Sequence, residues 1–293
     1  MSKFDEQYLD LCDRILKEGT YSNNRTGVPT YKLPHQVLRF DLAEEFPILT
    51  TKYVAYKAAI LEMLWIYQVQ SNDTRWLNER SIKIWDEWTA DENGTYQQVG
   101  GKKLELGKEF AHTIGTAYGW IVGKYKLTQR IIDTLKNNPN DRKMVMSLWQ
   151  DEFMPTACLP SCVWNSQWDV ADGKLNILVN CRSNDVPLGL PFNISQYAVL
   201  CYLLAQTCEL KPGQMTYVIN NAHIYENQID GINEQLRRRD EKLAADGKLF
   251  DAPKLWINPD VKDFFKFDNS KELLDIKLEN YQHQGKISMP VAV

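Results

Sequence analysis

Residues 162–182 read Cys162-Val163-Trp164-Asn165-Ser166-Gln167-Trp168-Asp169-Val170-Ala171-Asp172-Gly173-Lys174-Leu175-Asn176-Ile177-Leu178-Val179-Asn180-Cys181-Arg182. Two runs with strand character, 163–170 and 174–182, flank an Asp-Gly pair, which suits the positive φ that a tight hairpin turn requires. With Asp172 and Gly173 as the loop, Ala171 faces Lys174. Extending that register places Cys162 opposite Ser183 and Val163 opposite Arg182, and a single bulge shifts the pairing by one position. Either way Cys162 lies beside the segment Arg182-Ser183-Asn184-Asp185.

Outward from the hairpin lie two segments that are apolar on nearly every side, Ala55–Gln68 and Ile194–Cys208. Helices of that kind belong in the middle of a protein. Near the start, Phe4, Tyr8, Leu9, Cys12, Ile15 and Leu16 recur at helical spacing, predicting a helix over Asp5–Lys17 with Ser2 as its cap and Gly19 as its stop. Leu38-Arg39-Phe40-Asp41-Leu42 alternates as a half-buried strand does. Strands and central helices in this mixed order predict an α+β fold, a mixed sheet packed by long buried helices. No repeat or Pro/Gly/Ser-rich linker divides the chain, so residues 1–293 read as a single domain. Two polar stretches, 91–108 and 239–248, read as surface insertions.

Composition narrows the function. The chain has 293 residues, 34 basic and 38 acidic, for a net charge of -4, which argues against a general nucleic-acid binder such as a DNA-binding protein. No stretch approaches a membrane span, and the N-terminus carries acids early with no apolar signal core, predicting a cytoplasmic protein. The six cysteines form no C-x-x-C pair and there are four histidines, so they read as reduced thiols and no metal site is expected.

Several residues stand out chemically, each with a structural alternative. Cys162 reads either as a buried core thiol or as a nucleophile. It follows Leu159-Pro160-Ser161, and the charge of a neighbouring Arg182 would favour its thiolate. Glu62, alone among Ala58, Ala59, Ile60, Leu61, Met63, Leu64 and Trp65, points first to an exposed edge of its helix. Its second reading is a carboxylate aimed into a pocket for proton transfer. Arg25, Arg142, Lys143 and Arg182 are solvated charges, or a phosphate site if they converge. Asn193 caps a helix or offers its amide to an imide edge. His223 and Tyr225 are a satisfied core pair or bind a hydroxyl.

Taken together, these segments resemble the thymidylate synthase family along nearly the whole chain. The resemblance is carried by Arg25-Thr26-Gly27, Phe46-Pro47-Ile48-Leu49-Thr50-Thr51-Lys52, Ile84-Trp85-Asp86-Glu87-Trp88, Leu159-Pro160-Ser161-Cys162 with Gln167, Arg182-Ser183-Asn184-Asp185, Leu188-Gly189-Leu190-Pro191-Phe192-Asn193, His223-Ile224-Tyr225 and Pro290-Val291-Ala292-Val293. It implies the family's fold, with one sheet face used in a homodimer. It also implies transfer of a one-carbon unit from methylenetetrahydrofolate, a folate co-substrate, to C5 of dUMP, with dihydrofolate released. In that scheme Cys162 adds to C6, while Glu62 and Tyr118 manage proton transfers with ordered water. Arg25, Arg182 and Ser183 bind the phosphate, joined by Arg142 and Lys143 from the second subunit. Asn193 reads the uracil imide edge, and His223 and Tyr225 hold the ribose hydroxyl. Asp185 faces the pterin, Trp85 lines the folate pocket, and Val293 closes the site.

The chain departs from the family's usual pattern at Ser161 (proline), Val163 (histidine), Lys143 (arginine) and Asn220-Asn221 (Gly-Asp or Ala-Asp). One alternative is a hydroxymethylase on the same scaffold, acting on dUMP or dCMP, in which water replaces hydride. The family's cytosine-directed pattern has aspartate at the Asn193 position, so asparagine favours uracil. Two others are a catalytically dead nucleotide- or RNA-binding regulator and an unrelated binder with a structural Cys162.

Overall fold

The computed structural model describes residues 2–98, 101 and 103–292. Helix α1 (Lys3–Glu18) begins two residues before the expected Asp5 but has the expected cap and stop: Ser2 Oγ accepts from the Asp5 N–H, and Gly19 ends the helix. The chain then forms β1 (Thr20–Ser22), β2 (Thr30–Asp41), α2 (Tyr56–Leu64), α3 (Arg75–Asn78), the hairpin β3 (Thr95–Gln97) and β4 (Lys103–Glu105), α4 (Gly119–Lys124), α5 (Leu127–Asn137) and β5 (Val145–Ser147). The decisive hairpin is β6 (Val163–Ala171) and β7 (Lys174–Cys181). Then follow β8 (Asn184–Asp185), α6 (Gly189–Thr207), β9 (Lys211–Tyr225), α7 (Ile229–Asp246), β10 (Lys254–Ile257) and β11 (Ile276–Glu279).

The main sheet runs β1-β2-β9-β7-β6-β5, with β8 beside β9. β9 pairs parallel with β7 and β8 and antiparallel with β2, so the sheet is mixed and the fold is α+β. One face packs on α6, whose Leu200, Leu203, Leu204 and Val199 are fully enclosed against Met215, Tyr217 and Ile219 of β9. Each such side chain contributes about 1.5–3 kcal/mol by leaving water. Neither helix has a broad polar face, so α2 and α6 are held mainly by packing, with Lys57 the one exposed residue of α2. Along the other face of the sheet, Val37 and Gln214 are exposed and Leu178, Asn180 and Val218 half-exposed. No helix among the described residues is long and apolar enough to cross a membrane.

Four expectations change. The hairpin keeps its predicted register from Ala171↔Lys174 to Asn165↔Asn180, then shifts at Trp164 so that Val163 pairs with Cys181. Cys162 therefore faces Arg182, whose N–H donates to the Cys162 carbonyl at 2.8 Å, and not Ser183. The helix expected over 55–68 is α helical only to Leu64 and continues as a π turn over Trp65–Val69. Helix α6 starts at Gly189, because Pro191 is tolerated in a first turn, so Asn193 lies inside the helix and does not cap it. The stretch 239–248 is mostly the C-terminal end of α7, closed by Gly247 at φ +70°. Of the stretch 91–108, residues 99, 100 and 102 lie outside the described residues, as does Val293.

Candidate active site

The bulge at Trp164 sets up the site. By turning the chain just after Cys162, it places that residue at the N-terminal end of the interior strand β6, opposite Arg182. Arg182 Nε donates to the Ser161 carbonyl at 3.0 Å and Nη2 to the Pro160 carbonyl at 2.6 Å, while Nη2 reaches Cys162 Sγ at 3.7 Å. One arginine thus grips the backbone of the Pro160–Cys162 turn and points its charge at the sulfur. Ser161, where the family pattern has proline, is fully buried, and its hydroxyl makes no hydrogen bond among the described residues. Cys162 itself is half-buried. Burial pushes Cys12, Cys158 and Cys201 up to about 12 and Cys181 and the half-buried Cys208 up to about 11, which leaves these five protonated near neutral pH.

Tyr118 meets Cys162 from the other side: its Oη accepts the Cys162 N–H at 2.9 Å. Tyr118 has a φ of +45°, a conformation costly for a bulky residue and tolerated where surrounding structure enforces it. Its ring is edge-on to Trp85, with centroids 5.2 Å apart. Burial holds its hydroxyl well above the usual tyrosine range, and both Cys162 and Glu62 act on it electrostatically.

Glu62 is not on an exposed edge. Trp85 Nε1 donates to its Oε1 at 2.8 Å and Gln196 Nε2 to its Oε2 at 2.5 Å. Desolvation raises its carboxyl to about 7 against the pull of those two donors. Trp85, expected to line the folate pocket, therefore also carries a hydrogen bond to Glu62. Asn193 lies one turn before Gln196 on α6; its Oδ1 accepts from Asn184 Nδ2 at 3.0 Å and Tyr217 Oη at 3.3 Å, and its Nδ2 donates to Gln196 Oε1 at 3.3 Å.

Asp185 is held on both oxygens, by the Leu188 N–H at 2.9 Å and Gln228 Nε2 at 3.0 Å, and burial raises its carboxyl. Gln228 also donates to the Pro290 carbonyl at 3.1 Å, which fastens the C-terminal segment beside Asp185. His223 pairs with Asp185 across β8 and β9, and burial drives its imidazole down to about 4, so it is neutral near pH 7. Asn221, a departure from the family pattern, places Oδ1 3.2 Å from His223 Nδ1. Tyr225 lies 5.1 Å from the His223 ring and feels Arg25, Asp185 and Cys162 electrostatically.

The cationic residues divide. Arg182 is at the sulfur; Arg25 is exposed in the loop before β2 and acts on Tyr225 and Tyr96. Ser183 follows β7, half-buried. Arg142 and Lys143 are exposed in the turn before β5: Arg142 lines a cleft of about 340 Å³ with Gln167, Trp168 and Thr216, and Lys143 pairs with Asp141 at 3.6 Å. Within one chain these two do not join the others.

Sequence reasoning missed Gln196, Gln228, Tyr217 and a role for Asn184. For Gln196 a signal existed. It sits three residues after Asn193 in a helix of otherwise apolar surroundings, and residues so spaced share a face. Among the described residues no group of three or more His, Cys, Asp or Glu side chains is arranged to hold a metal.

The comparisons with known proteins agree with this arrangement. The family model described as Thymidylate synthase matches residues 6–293. A thymidylate synthase of Clostridium beijerinckii is 49% identical, covering 100% of both chains. One from Bacillus phage phi3T is 37% identical over 303 residues, again covering 100% of each. The solved structure of thermostable thymidylate synthase A from Bacillus subtilis superposes with a TM-score of 0.84 at 36% identity, covering 99% of each chain. A thiol with an arginine 3.7 Å away, a tyrosine that feels both that thiol and Glu62, and a match over the whole chain lead to one conclusion: this chain belongs to the thymidylate synthase family.

Proposed function

We propose that residues 1–293 act as one catalytic domain, a methyltransferase that converts dUMP to dTMP with methylenetetrahydrofolate as co-substrate. The observation that carries this is the meeting of Cys162 with Arg182 on one side and Tyr118 on the other, with Tyr118 also within reach of Glu62. Such a site delivers a sulfur nucleophile to a ring carbon and moves protons beside it. Cys162 adds as thiolate to C6 of the pyrimidine, which makes C5 nucleophilic. Asn193 offers an amide edge to the base, and developing charge on O4 is stabilised by fixed donors in a water-poor site. Glu62, with its carboxyl near 7, exchanges a proton readily at neutral pH, and Tyr118 stays a neutral donor. His223, neutral, and Tyr225 are placed to hold a ribose hydroxyl. The folate, when bound, supplies the one-carbon unit and the hydride. Asp185 suits its pterin: a buried carboxylate with one donor on each oxygen retains acceptor capacity. The segment that Gln228 tethers through Pro290 would cover that end of the site.

Arg182, Arg25 and Ser183 are the proposed phosphate ligands of one chain. Arg142 and Lys143 are proposed to reach the partner's phosphate in a homodimer formed through the half-apolar outer sheet face, since an antiparallel or mixed sheet face rich in Leu178, Val218 and Val37 is otherwise left to water. We place the enzyme in the cytoplasm. Asparagine at position 193 favours uracil over cytosine, and hydride transfer over water addition accords with Trp85 at the site.

The test is dihydrofolate production with dUMP and methylenetetrahydrofolate, repeated with dCMP. Dihydrofolate formed mole for mole with dTMP from dUMP alone is expected. A hydroxymethylated product without dihydrofolate would replace this reading by the hydroxymethylase one. Absence of a covalent adduct between Cys162 and 5-fluoro-dUMP plus folate would remove both.

A further inference from the structure

We propose that Gln196 is a positioning residue whose amide orients Glu62 and ties it to Asn193, joining base recognition and proton transfer in one hydrogen-bonded chain. The proposal rests on the reading above, in which Asn193 faces the base and Glu62 handles protons.

The chain has a direction. Asn184 Nδ2 and Tyr217 Oη both donate to Asn193 Oδ1, at 3.0 and 3.3 Å. That turns Asn193 Nδ2 toward Gln196 Oε1, 3.3 Å away. Gln196 Nε2 is then committed to Glu62 Oε2 at 2.5 Å, and Trp85 Nε1 holds the opposite oxygen at 2.8 Å. A side-chain amide has one accepting end and one donating end. None of these amides in series can turn over without setting donor against donor or acceptor against acceptor. Asn193 keeps its second N–H for O4 of the base, and Oδ1 would take the N3–H in place of the longer Tyr217 contact. Gln196 is 5% exposed, so an unmatched amide there has no water to turn to.

The arrangement also bears on Glu62's proton. Gln196 and Trp85 donate to the charged form and oppose the desolvation that raises the carboxyl. The titratable group facing Glu62 from the segment entering α4 is Tyr118, and beyond it lie Cys162 before β6 and Arg182 after β7. A change at Gln196 leaves all of these in place.

Full-length Gln196→Met keeps side-chain length but removes both polar ends. Assayed with dUMP and methylenetetrahydrofolate, its kcat should fall about 10- to 100-fold, with KM for dUMP within about 3-fold of the parent. The ionisation near neutral pH in its kcat profile should move upward, because a donor to the carboxylate is gone. Gln196→Glu should move it further, since two carboxyls then compete for one proton. In a Glu62→Gln background, Gln196→Met should cost little more, the sign of a residue acting through another. An unmoved pH profile in both variants, or full additivity with Glu62→Gln, would overturn the proposal. Adduct formation with 5-fluoro-dUMP in each variant monitors the fold and the nucleotide site independently. If the parent chain makes no dihydrofolate from dUMP, it is the functional reading that fails, before any variant is compared.

Discussion

Asp5 and Glu62 are both carboxylates drawn into the interior, and both are raised by desolvation, but they are satisfied differently. Asp5 accepts four hydrogen bonds: from Thr50 N and Oγ1 at 2.8 and 2.6 Å, and from Thr51 N and Oγ1 at 3.1 and 2.7 Å. Gln235 Nε2 backs Thr51 at 2.8 Å, and Tyr8 Oη reaches Gln235 at 3.3 Å. The pair Thr50-Thr51 in the segment after β2 is thereby pinned to the first turn of α1. Glu62 has two donors and a tyrosine within electrostatic reach that itself touches the candidate nucleophile. Desolvation opposes the charge at both places, yet four donors fix it as a rivet at Asp5, while two leave Glu62 free to gain and lose a proton. Between these two carboxylates, the number of donors separates the structural one from the chemical one.

The contrast is broken most severely at Glu62. Glu62→Gln should lower kcat about 10²- to 10⁴-fold while the protein stays folded, as steady-state kinetics beside a thermal melt would show. Asp5→Asn should do the reverse. It sets an amide N–H₂ against fixed backbone donors and should cost about 3 kcal/mol of stability in urea titrations, with turnover per folded molecule close to the parent's. If Asp5→Asn instead abolished turnover without loss of stability, the distinction between the two carboxylates would be wrong.

A pH series sharpens it further. The Glu62 carboxyl is raised from 4.5 unfolded to about 7 folded, so folding favours its protonated form. Its contribution is therefore complete below pH 4.5 and is lost as pH climbs through 7. Stability of Glu62→Gln relative to the parent should shift in the variant's favour by about 2–3 kcal/mol between pH 4.5 and 8. A flat difference across that range in denaturant titrations would mean that Glu62 is not raised. The smallest effect is expected at Tyr225, where Phe removes one hydroxyl from the proposed ribose contact. KM for dUMP should rise about 10-fold, equivalent to about 1.4 kcal/mol, with kcat little altered.

Local sequence determined the elements whose signals are local. The Asp172-Gly173 turn, the alternation of β6 and β7, the Ser2 cap of α1 and the apolar runs of α2 and α6 all follow from backbone preference and side-chain period. The ordered motifs around Cys162, Arg182 and Asn193 likewise pointed to one family from residue types alone. Tertiary structure decided how the polar groups were satisfied. Glu62 reads as a surface residue in its own helix because its partners, Trp85 and Gln196, lie 23 and 134 positions away along the chain. The one-residue slip at Trp164, which faces Cys162 with Arg182, comes from how β6 bends at its N-terminal end, and no turn signal encodes it. A side chain's hydrophobicity is its own property; whether a buried polar atom finds a partner depends on which distant segments fold against it.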